Sequence, residues 1–404
     1  MRVGIWLGEI INEQLGGAST FQSNILKEIS QTKSNHQFYF FAKFNPNEQE
    51  IFEKICSSVK IFNLKESLSD SNKKTKFHIL NNRNPGKTLS LDDQLKANKI
   101  EFCWIVCPYD GDLECPYALT VWDLDHRLLT FFPEVNFSGW KFDDREKYFN
   151  KMIGKSSYVI IGNNEGARQV NQFYNYPIER VKAIAMPTPS YVYELKGEEN
   201  FISNNNLIKN KYFFYPAQFW PHKNHIAILN AFKILIEKNE DFKNFKIVFT
   251  GSDKGNQKYI KEKTKEIGLE NYVNFLGFVS KEQIIALYQN AFALIYPSMF
   301  GPDNIPPLEA MALKCPVISS NARGMEEQLQ NCALFFNPLD SKDLVNRILE
   351  LYNNPKLADE LVIKGVELAK KVNTNNYLDS IIKIIDEFAL IRQMWSSEDQ
   401  YIHP

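Results

Sequence analysis

The chain has no charge imbalance. Lysine and arginine total 47 against 48 aspartates and glutamates, a formal net charge of -1. The basic excess of a nucleic-acid binder is missing, so no nucleic-acid partner is expected. Long apolar runs are missing too. No stretch approaches the ~20 residues that span a bilayer, and the opening MRVGIWLGEI is too short for a secretory signal. The expected location is cytoplasmic, compatible with peripheral contact at the inner face of the cell membrane. Cysteine is scarce. The six residues, at 56, 103, 107, 115, 315 and 332, form no CxxC pair, which argues against a zinc ribbon or a thioredoxin-like site. Several lie in strand-like runs such as Phe102-Cys103-Trp104-Ile105-Val106-Cys107, where buried reduced thiols are the ordinary reading. A complete GxGxxG is absent, since Gly16-Gly17 in GGAST falls short of it. Asp110-Gly111-Asp112 has the spacing of a DxD metal motif, but PYDGDLECP around it reads as a turn. No metal or other cofactor is expected.

What is present is a repeated alternation. At 404 residues, 44% hydrophobic and 24% charged, the chain can build two sizeable cores. RVGIWL, QFYFFAK, VKIFNL, FCWIV, YALTVW, YVIIGN and VKAIAMP read as strands separated by helical runs. The polar stretch at 188–210 reads as an irregular linker. The pattern then restarts with YFFYPA, FKIVFTG, YVNFLGF, ALIYP, CPVIS and ALFF. Two βα series with apolar strands predict an α/β protein with two doubly wound parallel sheets. Ligands in such sheets bind beyond the carboxyl ends of the strands. From about 340 onward the pattern is mostly helical. Residues 65–87 carry Lys73, Lys74, Lys76, Arg83 and Lys87, which suit either a solvated loop or a loop near an acceptor or an anionic surface.

The stretch FGPDNIPPLEAMALKCPVISS (300–320) puts one carboxylate into an otherwise apolar segment. Pro306 and Pro307 suit a first helical turn, where N–H donors have no partner anyway. The pattern predicts a loop, a helix over 307–313 with Glu309 in its first turn, and a strand over 316–319. Such a carboxylate either complements the helix dipole or accepts ligand hydroxyls. Lys223, in QFWPHKNH between a strand and a helix, suits a diphosphate. Asp123, Asp125, His126 and Arg127 follow the strand ALTVW; they could form a structural ion pair or face a ligand. Trp220, His222 and His225 read as packing or cap residues.

FWPHKNH, FTG, GFV and PPLEAMALKCPVISS, in that order, resemble the retaining glycosyltransferases of family 4. The resemblance is most specific over 212–337. It implies the GT-B fold, two Rossmann-like domains facing a cleft: 1–190 on the acceptor side, 191–385 binding the nucleotide-sugar, and 386–404 returning to the first domain. It implies transfer of a hexose from GDP-mannose or a UDP-sugar to a hydroxyl of a glycan or lipid-linked glycan, in synthesis of a cell-surface polysaccharide or glycoconjugate. Glu309 matches the family's ribose-binding glutamate and Lys223 its phosphate-binding lysine. Two positions depart from the pattern: Gly301 stands where the partner glutamate falls, and Gln218 where an arginine is usual. The resemblance implies a donor site of Gly16, Gly17, Gln218, Lys223, Phe278, Val279, Gly301, Asp303, Asn304 and Glu309. Backbone groups at Gly277-Phe278-Val279 would read the base, and Asp303 or Asn304 would help shape the sugar pocket. Asp123, matching the family's aspartate, and His126 are expected beside the donor sugar as catalytic groups with Lys223. The rival readings are a nucleotide-sugar epimerase on the same fold and a non-catalytic binding subunit that kept it.

Overall fold

The computed structural model describes residues 1–9, 17–29, 32–43, 60–64, 90–137 and 139–395. Gly16, Cys56 and the whole lysine-rich stretch 65–87 lie outside them. Strands β1 (Arg2–Glu9), β2 (Gln37–Lys43), β3 (Lys60–Asn63), β4 (Phe102–Ile105), β5 (Tyr117–Thr120), β6 (Tyr158–Ile161) and β7 (Val181–Ala183) form one sheet, in the order β3-β2-β1-β4-β5-β6-β7. Strands β8 (Tyr212–Pro216), β9 (Lys246–Thr250), β10 (Val273–Phe275), β11 (Ala293–Tyr296), β12 (Val317–Ser320) and β13 (Leu334–Phe336) form the other, in the order β10-β9-β8-β11-β12-β13. Every neighbouring pair in the second sheet is parallel.

The strands read as unbroken apolar runs because helices cover both faces. Phe102–Ile105, Tyr158–Ile161 and Ala293–Tyr296 are buried at every position, as parallel sheets require. The second core is rich in aromatics. Phe213 of β8 lies 5.5 Å from Phe245 and 5.7 Å from Phe292, ring centre to ring centre. The thiols fit the expected burial: Cys103 and Cys315 are enclosed, and burial raises Cys315 to about 12. Such thiols are chemically quiet.

The chain divides into two compact units. One holds Met1–Thr120, Lys155–Val159 and the residues from Leu378 on; the other holds Val121–Gly154 and Ile160–Tyr377. Within the first, the Phe388 ring lies 4.4 Å from that of Phe102, tilted by 34°, and Asp386 lies 2.8 Å from His36. The stretch expected to be an irregular linker is ordered within the second unit. It forms the short helices Tyr191–Glu194 and Phe201–Asn204 and buries Tyr191, Val192, Phe201 and Leu207 in that core. Four apolar side chains scattered among polar residues carry no period, so the sequence concealed the packing.

In the second sheet the chain leaves β8 toward β9 on one side and β11 toward β12 on the other. The carboxyl ends of β8 and β11 therefore open a switch point, where doubly wound sheets take ligands. Gly251 directly follows β9 at φ +123°, and a Cβ there would lie 2.5 Å from the Ala217 carbonyl oxygen. The close approach lets the loops after β8 and β9 run together: Phe219 N–H donates to Ser252 O at 3.0 Å. Replacing Gly251 with Ala should cost at least about 1–3 kcal/mol through strain and overpacking. Urea unfolding of Gly251→Ala checks this; an unchanged midpoint would show that the two loops yield without cost.

Candidate active site

Three loops of the second unit converge. The first follows β8. Pro221–Lys223 make one 3-10 turn, and Asn224, at φ 53°, leads into the helix His225–Lys238. Tyr215 Oη donates to the Lys223 carbonyl at 2.8 Å, fixing the turn. The Lys223 ammonium donates to Tyr296 Oη at 3.2 Å and Ser298 Oγ at 3.3 Å. Both partners are neutral hydroxyls, so the cation has charge to offer an anion at the switch point. His225 packs between rings, 4.4 Å from Phe219 and 4.8 Å from Tyr215, and burial lowers its pKa to about 3.

The second loop follows β11 and enters the helix Ile305–Ala312. Gly301 sits at φ +98°, a region that favours glycine. Asn304 is tied on every side. Its Oδ1 accepts from Tyr296 Oη at 2.6 Å and its Nδ2 donates to Gly301 O at 2.9 Å. Its backbone exchanges two bonds with the Gln328 amide, at 2.9 and 2.7 Å.

The third loop follows β5. The Asp125 carboxylate accepts the Gly301 N–H, and Asp123 Oδ1 accepts the Asp125 N–H at 3.2 Å. Farther along, the short helix Pro133–Asn136 carries Glu134, whose Oε1 accepts from the His222 N–H at 3.1 Å and also meets the His222 ring at Nδ1. Phe132 stands edge-on to Phe300 at 5.4 Å. One lysine, two aspartates, one glutamate and a histidine are thus gathered around the ends of β8 and β11.

Residues 197–367 match the family described as glycosyl transferases group 1. Over this stretch the chain is similar to the group 1 glycosyltransferases. The O-antigen chain mannosyltransferase RfbU of Salmonella typhimurium is 32% identical over 166 residues, covering 41% of this chain and 45% of that protein. The alpha-1,3/1,6-mannosyltransferase ALG2 of Dictyostelium discoideum is 30% identical over 233 residues, 54% of each chain. The chain spans about half the length of these curated relatives. Among solved structures, a glycosyltransferase from Rickettsia africae matches with TM-score 0.68 at 15% identity, over 98% of this chain and 99% of that one. Anabaena HepE in complex with UDP-glucose matches with TM-score 0.70 at 16% identity, over 96% and 100%. The fold is GT-B.

Against the family pattern, several expected residues stand elsewhere than the sequence suggested. Glu309 is the fifth residue of its helix, so it lies in the second turn and not the first. Its carboxylate is buried and accepts from Tyr191 Oη at 2.8 Å and Tyr288 Oη at 3.1 Å. Burial raises its pKa, and the two tyrosines oppose the rise. Asp303, expected in the sugar pocket, turns away: its Oδ2 accepts the Met186 N–H at 2.5 Å, and its side chain packs where Gly162 has no Cβ. Burial raises its carboxyl to about 8. The Asn304 amide and the Gly301 N–H, also expected for the sugar, are spent on internal bonds. His126, expected beside the donor, is fully buried. Its Nε2 lies 2.7 Å from Glu146, which also takes Arg127 Nε at 2.8 Å and Tyr174 Oη at 2.9 Å. Burial alone would raise Glu146, but these donors hold it down at about 2. His126 is therefore part of a structural ion network. Asp123 is half-exposed near Arg145, at 3.6 Å. Gln218 accepts from Trp220 Nε1 at 3.0 Å. Phe278 is exposed just beyond Gly277, while Val279 is buried. Gly17 begins the helix Gly17–Ile29 in the first unit.

Glu134 was not among the expected site residues, and Asp125 was named only as one of the polar residues after ALTVW, with no role of its own. Asp125 stood in the same DLDH run as Asp123, but only the tertiary contact with Gly301 selects it. Burial and the nearby Asp123 charge raise the Asp125 carboxyl from 3.8 to about 7, against the Gly301 N–H and Lys223. The folded chain thus holds a proton here that the unfolded chain releases. The stability this contributes is complete below about pH 4 and is lost as pH rises through about 7. Asp125→Asn never ionises, so it avoids that loss. Its melting temperature relative to wild type should climb between about pH 4 and pH 8. A difference that stays flat over that range, read by thermal denaturation, would refute the raised pKa.

Proposed function

We propose that the chain is a retaining glycosyltransferase that works without a protein-bound metal. It moves a hexose from a nucleotide-diphosphate sugar to a hydroxyl of a glycan or lipid-linked glycan. The observation that carries this reading is Lys223, a cation resting on two neutral hydroxyls at the switch point of a group 1 glycosyltransferase fold. As the bond from the anomeric carbon to the phosphate oxygen breaks, charge builds on the diphosphate, and a positioned cation stabilises it. The acceptor oxygen bonds to the anomeric carbon, and its proton passes to the departing phosphate. That route needs no dedicated protein base.

Similarity to O-antigen chain mannosyltransferases favours mannose as the transferred sugar and a surface polysaccharide or glycoconjugate as product. A lipid-linked acceptor would bring the chain to the cytoplasmic face of a membrane as a peripheral protein. Glu309 is the candidate for the ribose. With each oxygen already accepting from one tyrosine, it would use its remaining lone pairs.

Two measurements test the reading. Calorimetry with GDP, UDP, GDP-mannose and UDP-glucose should identify a binder, and saturation at 100 times Kd adds ~2.7 kcal/mol of stability. Nucleotide release that depends on an added acceptor then shows transfer; its absence with every sugar nucleotide would favour a binding subunit. Lys223→Ala should weaken the nucleoside diphosphate by about 1.5–3 kcal/mol, the worth of a charge-assisted bond, and leave the free nucleoside unchanged. Equal losses for both would remove Lys223 from the phosphate.

A further inference from the structure

His222 has features that a packing residue does not require. Its ring lies flat on Phe300, 4.3 Å between centres at 18°, with Phe132 edge-on to it at 6.4 Å. Glu134 grips it twice, at the backbone N–H and at Nδ1. A carboxylate accepts, so Nδ1 carries the proton. That leaves Nε2 with a lone pair and, among the described residues, no hydrogen-bond partner. The ring is not sealed, with 12% of its side chain exposed. Protonation is opposed from two sides. Burial lowers the pKa to about 4 despite Glu134, and the neighbouring Lys223 charge adds to the effect.

Glu134 is itself held at a cost. Its second oxygen, Oε2, is buried without a partner among the described residues. A half-satisfied buried carboxylate is expensive where only packing is at stake. Such groups gather where a side chain must hold one protonation state. The pair stands beside Lys223, the proposed phosphate contact and the next residue in the chain.

We infer that His222 is a specificity-determining hydrogen-bond acceptor for a hydroxyl of the transferred sugar, and that Glu134 is the positioning residue that fixes its tautomer. A sugar attached to a phosphate at Lys223 lies next to this ring, and a hydroxyl is the donor that a neutral Nε2 accepts. This inference rests on the glycosyltransferase reading.

The test uses the full chain with GDP, UDP, GDP-mannose and UDP-glucose. His222→Asn keeps an N–H for Glu134 and removes the Nε2 acceptor together with the ring that packs on Phe300; His222→Gln restores a polar group near the Nε2 position. The expected result is nucleotide affinity within about twofold of wild type in both variants. Affinity for the bound sugar nucleotide should fall about tenfold, or about 1.4 kcal/mol, in His222→Asn and partly recover in His222→Gln. Nitrogen-15 NMR of the wild-type chain gives a second reading that a structural role would not produce. Nε2 should be unprotonated in the free protein, and it should shift with the sugar nucleotide but not with the nucleotide alone. Unchanged sugar-nucleotide affinity in His222→Asn, or a protonated Nε2 in the free protein, would overturn the inference and leave the proposed function standing. Failure of the wild-type chain to bind either sugar nucleotide would overturn both.

Discussion

The bond from the Gly301 N–H to the Asp125 carboxylate joins two loops that are far apart in the chain. It requires Gly301 to hold a left-handed conformation, φ +98°, and Asp125 to turn inward from the end of β5. Asn304 reinforces it by donating to the Gly301 carbonyl while accepting from Tyr296. Tyr296 in turn accepts from Lys223. One glycine conformation is thus linked, bond by bond, to the cation at the switch point. A side chain at 301 would press on Asn304 and disturb that linkage.

The buried acids of this unit separate by their partners. Glu146 receives a guanidinium, an imidazole and a phenol, and stays ionised far below its usual range. Asp125 and Asp303 receive backbone N–H groups only, too little to offset burial, and their pKa values rise. Glu309 lies between these cases, with two tyrosine hydroxyls. The physical rule is the same throughout: a buried carboxylate keeps its charge only where cations or several donors replace the lost water. The residues at the strand ends with few donors are the ones left free to change state.

The architecture was legible in the sequence. Runs of four or five apolar residues separated by helical stretches specify buried parallel strands, since period and burial are local properties that each segment carries itself. Pro306 and Pro307 marked the start of a helix for the same reason. Lys223 could be singled out because a lysine between a strand and a helix has a consequence that depends on few neighbours. Orientation was not legible. Asp123, Asp125 and His126 lie within four residues, and nothing local says that Asp125 meets Gly301 while His126 turns to Glu146. Glu134 and His222 are 88 positions apart, and their pairing depends on how two loops close on each other. Which polar side chain faces the site, and which is consumed by the fold, is set by partners distant in sequence; that is why the sequence by itself determined the sheets and the cation, and only the tertiary structure decided the acids and the histidine around them.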